Sequence, residues 1–237
     1  MFNVFVISPL RGDGKTFISS GIAATMQSLG YKTAVYKPIQ TGGIEKNGFI
    51  QSKDVTFIKS LDPYISTKLS YIFKSDEEPL IASEIENEQI NIDYILKEYQ
   101  KIASVSECTV IDGNTGLFSP ITADAQTADL IKQLQIPVLI ITKPSVDAIN
   151  STLQTIYTAQ EKGLIVRGVI INDIKENDKN MIVSLSRIIE EYTSVKVLGL
   201  VSHIEGKLNP EDIIASVLNG IDIESVFNVK IEKLELG

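Results

Sequence analysis

Along the whole chain, short and nearly continuous apolar runs alternate with longer segments that are apolar on one side only. The runs FNVFVIS (2–8), KTAVYKP (32–38), CTVID (108–112), PVLIIT (137–142), VRGVIIN (166–172) and VKVLGLV (195–201) are rich in β-branched residues. A strand that is apolar at successive positions has to be covered on both faces. The amphipathic segments between them predict helices over 15–29, 93–103, 125–135, 148–162 and 179–192, with Gly30 and Gly163 where C-caps belong. This alternation predicts right-handed βαβ units and therefore an α/β fold, doubly wound, with a mostly parallel sheet flanked by helices. Ligands of such sheets bind at the carboxyl ends of the strands. Residues 42–91 are less regular, and KSDEEP and SEIENEQ within them read as surface loops and short helices. The tail from 226 to 237 alternates apolar and polar positions, as an edge strand or a packed extension would. No linker or internal repeat divides the chain, so one domain over 1–237 is expected.

Composition narrows the function more than the fold. The 237 residues carry a formal net charge of -8, which argues against a protein that coats nucleic acid or an anionic membrane. Small anions remain possible ligands, because lysines and backbone N–H groups bind phosphate locally. The single cysteine, Cys108, lies in an apolar run and reads as a buried strand residue. The opening MFNVFVIS lacks the basic stretch of a signal peptide, so the expected compartment is the cytoplasm.

The first predicted strand runs into SPLRGDGKT, and a helix is predicted from Lys15. Strand, glycine-bearing loop and helix make a phosphate loop, since N–H groups at the helix start point at the anion. Gly12, Asp13, Gly14 and Phe17 would surround the nucleotide, Lys15 would reach its terminal phosphates and the Thr16 hydroxyl would ligate Mg²⁺. Pro9 stands where the usual first glycine would, and it removes one N–H donor. Lys37 in YKPIQTGG, Asp54 in SKDVTF and Asp112 in IDGNTG fall on the same predicted sheet edge. Two carboxylates and a hydroxyl suit Mg²⁺, and two lysines suit the charge that develops in phosphoryl transfer. Taken singly, the three residues also fit a strand-end lysine, a helix cap and a turn former.

These motifs resemble those of the dethiobiotin synthetase family, a P-loop class related to the MinD/ParA ATPases, and the likeness spans most of the chain. The family loop G-T-[DN]-T-x-V-G-K-T aligns its G-K-T with Gly14, Lys15 and Thr16, and YKPIQTG resembles K-P-[VI]-x-[ST]-G. PLIASEIENEQINID and VIDGNTGLFSPI resemble two further family segments, the second with Asp112 in place of a metal-binding glutamate. Ser8, Pro9, Leu10 and Arg11 replace the G-T-[DN]-T part of the loop.

The resemblance implies an ATP- and Mg²⁺-dependent ligase that closes the cyclic urea of dethiobiotin from 7,8-diaminopelargonate and CO₂ or bicarbonate. It assigns catalysis to Lys37 and Lys15, metal binding to Thr16, Asp54 and Asp112, and substrate contact to Lys37, Thr41, Asn150 and Ser151. Arg11 would either put a charge on the substrate side in place of a hydroxyl or block the substrate there. Asn172 would read adenine, and His203 with Glu211 would belong to a nucleotide lid; a solvated loop position is an equal reading of His203. A homodimer with sites at its interface is also implied. Two alternatives stay open at this level: a nucleotide-binding switch without catalysis, and a ligase of the same fold acting on another substrate.

Overall fold

The apolar runs become the centre of a seven-stranded sheet in the computed structural model, which describes residues 1–206 and 208–231. The strands in chain order are β1 (Phe2–Ser8), β2 (Thr33–Gln40), β5 (Ser66–Ile72), β6 (Cys108–Thr115), β7 (Val138–Thr142), β8 (Val166–Ile174) and β9 (Val197–Ser202). They lie in the order β5-β2-β6-β1-β7-β8-β9, and every pairing is parallel. A small antiparallel hairpin, β3 (Ile44–Lys46) with β4 (Phe49–Gln51), stands apart from this sheet.

Side chains alternate between the two faces, so each helical layer receives its own core. Val4 and Val6 of β1 join α1 (Lys15–Ser28), α2 (Lys53–Leu61), α8 (Pro210–Gly220) and α9 (Ile223–Phe227) on one side. Phe5 and Ile7 join α4 (Ile92–Ala103), α5 (Thr127–Leu134), α6 (Ala148–Glu161) and α7 (Lys179–Thr193) on the other. The remaining helix, α3 (Pro79–Glu86), begins at a proline, whose fixed φ suits a first helical position. Gly30 and Gly163 follow the helix ends at φ 80° and 75°. Cys108 is fully buried, as its run predicts, and burial pushes its thiol pKa up. Among the described residues no helix is long and apolar enough to cross a membrane.

Three parts of the pattern read differently once folded. Residues 42–91 hold the β3–β4 hairpin and a strand of the main sheet, β5, as well as loops and short helices; β5 is an edge strand of mixed polarity, half-buried except at Tyr71. Helix α5 starts at Thr127, two residues later than expected, where the Asp129 carboxylate accepts the Gln126 N–H at 2.9 Å. The tail is no edge strand where it is described: Val226 and Phe227 end α9, and the sheet edge on that side is β9. The Asp222 side chain caps α9 by accepting the Ser225 N–H, and the Phe227 ring meets Phe2 at 5.5 Å. Ile231 is buried, as a packed extension requires, and 232–237 lie outside the described residues.

Candidate active site

The strand ends set the site. Near the carboxyl end of β1 its register against β6 shifts, so that Ser8 pairs with Thr115 after Val6 has paired with Asp112. Gly113 is required there, since a Cβ would lie 2.2 Å from the Phe5 ring and 2.8 Å from the Val6 carbonyl oxygen. Beyond β1 the loop is held by its own side chains. Ser8 Oγ donates to the Leu10 carbonyl at 2.7 Å, and the Leu10 N–H donates to Asp13 Oδ2 at 3.0 Å. Burial raises the Asp13 pKa, opposed by that hydrogen bond and by nearby lysines. Gly14, at φ 90°, precedes α1 and supplies no side-chain cap, which leaves first-turn N–H groups available to an anion. Asn172, at the end of β8, braces the loop by donating to the Asp13 carbonyl at 3.0 Å. A Cβ on Gly14 would fall 2.1 Å from that amide nitrogen.

Two lysines enter this edge with different companions. Lys15 Nζ donates to Ser8 Oγ at 3.1 Å and Thr115 Oγ1 at 2.8 Å, both neutral. Burial lowers its pKa, and Asp112 only partly restores it. Lys37 Nζ lies 2.6 Å from Asp54 Oδ2 and 2.8 Å from Asp112 Oδ2. Burial would depress its pKa, but Asp112 and Asp54 together outweigh that and hold it raised. Asp54 sits in the first turn of α2, whose cap is Ser52. The Ser52 hydroxyl accepts the Val55 N–H and donates to Gln40 Oε1, tying α2 to the end of β2.

The oxygen set suits a hard divalent cation. Thr16 Oγ1 donates to Asp112 Oδ2 at 2.9 Å, while Asp112 Oδ1 is buried with no hydrogen-bond partner. A carboxylate oxygen left unpaired in the interior is costly unless a cation or water completes it. With Asp54 and the Thr16 hydroxyl beside it, the group fits Mg²⁺, which prefers such oxygens and keeps several waters.

A cleft of about 340 Å³ opens over these residues, with Arg11, Lys15, Thr16, Lys37, Thr41 and Asp54 in its walls. Arg11 and Asp76 form an ion pair at this cleft, and both side chains are about two-thirds exposed. A second hollow of about 330 Å³ lies on the other side of the loop, lined by Gly12, Gly14, Phe17, Asn172 and His203. There His203 Nδ1 meets Asp173 Oδ1 at 2.6 Å. Glu211, exposed in the first turn of α8, does not line that hollow. Nor do Asn150 and Ser151 reach the cleft of their own chain: Asn150 is exposed, and Ser151 lines a separate groove with Pro9 and Phe118. The contacts made by Ser8, Thr115, Asp76 and Asp173 were not assigned from the sequence, where Ser8 entered only as a replacement in the phosphate loop. Their residue types are common in loops; the register shift and the fold of residues 42–91 bring Thr115 and Asp76 to the cleft, and Ser8, fully buried, meets Lys15 from within.

Comparison with known proteins follows the same lines. A family model described as an AAA domain matches residues 3–211. The ATP-dependent dethiobiotin synthetase BioD of Bacillus cereus (strain G9842) is 31% identical over 229 residues, covering 95% of this chain and 93% of its own. Its namesake from Nitrosopumilus maritimus (strain SCM1) is 30% identical over 213 residues, covering 88% and 92%. Among solved structures, the MinD cell division protein of Aquifex aeolicus superposes with a TM-score of 0.61 at 15% identity, covering 95% of each chain. A ParA family ATPase from Chlorobium tepidum TLS gives 0.56 at 17% identity, covering 97% of this chain and 94% of its own. At such identities these two structures bear on the fold alone.

Proposed function

The chain belongs to the ATP-dependent dethiobiotin synthetase family, within the broader AAA-domain family, and from that premise we propose that it is a single-domain ATP-dependent carbon–nitrogen ligase closing the cyclic urea of dethiobiotin. The observation that carries this reading is the convergence of Lys15, Thr16, Lys37 and Asp54 on one cleft, with Asp112 bonded to Thr16 and Lys37 beneath it.

In the proposed reaction, CO₂ adds to one amine of 7,8-diaminopelargonate and a proton leaves, giving a carbamate. A carbamate oxygen attacks the γ-phosphorus of ATP; the bond from that phosphorus to the β–γ bridging oxygen breaks, and ADP departs. The second amine then attacks the carbamoyl carbon, a proton is lost, and the carbon–oxygen bond to phosphate breaks as the ring closes. No protein nucleophile is needed, so the chain contributes position and charge.

Lys15 takes the β- and γ-phosphates, exchanging two neutral hydroxyls for an anion. Lys37 serves the carbamate and the transferring phosphoryl group, where negative charge builds up. Thr16, Asp54 and Asp112 would hold Mg²⁺, which supplies neutralisation of the phosphate oxygens. Thr41 contacts the amine substrate. Phe17, Asn172 and His203 border the hollow proposed for adenine, which Glu211 does not line.

The exposed Asn150 and the groove at Ser151 suit a homodimer, in which the start of α6 from one subunit completes the cleft of the other. Its uncapped helix start would then meet the substrate carboxylate. The test is incorporation of ¹³C from labelled bicarbonate into dethiobiotin, read by mass spectrometry with Mg-ATP and 7,8-diaminopelargonate present. A product one mass unit heavier, dependent on ATP, supports the reading. Measurable ATP binding with no such product would overturn it.

A further inference from the structure

The cleft holds three cations, and they are not equally committed. Lys37 lies between two carboxylates and Lys15 is enclosed by hydroxyls, whereas Arg11 has a single exposed partner, Asp76, contributed from 65 residues away. The backbone beside Asp76 is tied to the loop at Gly42. The Gly42 N–H donates to the Ser75 carbonyl at 2.8 Å, and a Cβ on Gly42 would lie 2.7 Å from Asp76 Oδ1. Arg11 stands on the phosphate loop in the same cleft wall as Lys15 and Thr16, and of the pair it has the longer, more rotatable side chain.

An exposed ion pair is weak because water competes for both partners. A terminal phosphate offers a guanidinium more charge than one carboxylate and can accept two parallel hydrogen bonds. Resting on the nucleotide reading of the cleft, we propose that Arg11 leaves Asp76 for the terminal phosphate of bound ATP. The pair is then a resting latch across the cleft, and Arg11 is the residue by which this chain tells ATP from ADP. The hydroxyl residue that the family loop carries at the same position can donate one hydrogen bond but brings neither the charge nor the second donor.

The test is calorimetric titration of Mg-ATP and Mg-ADP into the wild-type protein, Arg11→Thr, Asp76→Asn and the double variant, without amine or bicarbonate. Arg11→Thr should weaken Mg-ATP about tenfold, the scale of one hydrogen bond to a charged group, and leave Mg-ADP unchanged. Asp76→Asn should tighten Mg-ATP only while Arg11 is present, so the double variant should match Arg11→Thr. Arg11→Lys, which keeps the charge and loses the fork, should recover part of the ATP preference. Equal weakening of both nucleotides by Arg11→Thr, or no weakening of either, would overturn the proposal. So would an Asp76→Asn effect of the same size in both backgrounds, because Asp76 would then act by direct repulsion. Because the titration uses no amine substrate, it stands if the protein makes no dethiobiotin. If the protein makes dethiobiotin and Arg11→Thr binds as the wild type does, only the Arg11 proposal falls.

Discussion

Lys15 and Lys37 stand at the same sheet edge, are both largely buried, and differ in almost everything that surrounds them. Lys15 ends α1's phosphate loop against two neutral hydroxyls, and burial lowers its pKa. Lys37 projects from within β2 between two carboxylates, and its pKa is raised. The difference teaches that equal charge at one site need not mean equal duty. The first lysine is under-compensated and therefore prepared for an anion. The second is fully paired, so it acts on phosphate only as the carboxylates find another cation.

The largest test of this contrast is Lys37→Ala. Removing a group aimed at developing charge should lower turnover by at least roughly 10²–10³-fold, with ATP binding little changed in a nucleotide titration. The same variant leaves Asp112 buried without its ammonium, a loss of about 3–5 kcal/mol. Mg²⁺ should therefore raise its melting temperature more than that of the wild type. An equal loss of binding and turnover would make the two lysines equivalent and break the comparison.

Asp112→Asn comes next. It removes a charge from the set assigned to the metal, and the Mg²⁺ concentration needed for half-maximal activity should rise roughly tenfold, about one hydrogen bond to a charged group. An unchanged metal titration would remove Asp112 from that set.

Lys15→Met sharpens the contrast from the other side. It should abolish tight ATP binding and yet stabilise the nucleotide-free protein by about 1 kcal/mol, since an apolar side chain replaces a buried charge with no carboxylate partner. For a chain of this size that is about 2–4 °C in melting temperature. A lower melting temperature would mean that the Ser8 and Thr115 hydroxyls compensate the charge fully.

The smallest effect concerns Asp13, whose folded pKa is raised by burial. A group raised on folding adds stability below its unfolded pKa and loses that contribution as pH rises through the folded value. The melting temperature of the wild type relative to Asp13→Asn should therefore increase on acidification, from the raised value down to the ordinary aspartate range near 3.8. A flat difference between the two proteins would show that Asp13 does not titrate there.

What the sequence displayed was the part of the protein governed by local rules. Strands covered on both faces, such as β7 and β8, are continuous apolar runs, and Gly14, Lys15 and Thr16 follow one of them in a fixed order. Strand β5 escaped because an edge strand with half-buried faces need not be apolar, and Ser66, Thr67, Lys68 and Ser70 hide it. Lys37, Asp54 and Asp112 were placed on one edge by topology, but their mutual bonds depend on tertiary packing. The same holds for Thr115 and Asp76, which reach the cleft through a shifted register and a loop held by Gly42.

The central claim is that Lys15 holds nucleotide while Lys37 serves the reacting phosphoryl group of an ATP-driven ring closure. The most direct measurement is the parallel yield of dethiobiotin and inorganic phosphate from Mg-ATP, bicarbonate and 7,8-diaminopelargonate, with wild type and Lys37→Ala side by side. The account predicts matched yields of the two products in the wild type, and neither product from a Lys37→Ala protein that still binds ATP. Phosphate released without dethiobiotin, or undiminished synthesis by Lys37→Ala, would contradict it.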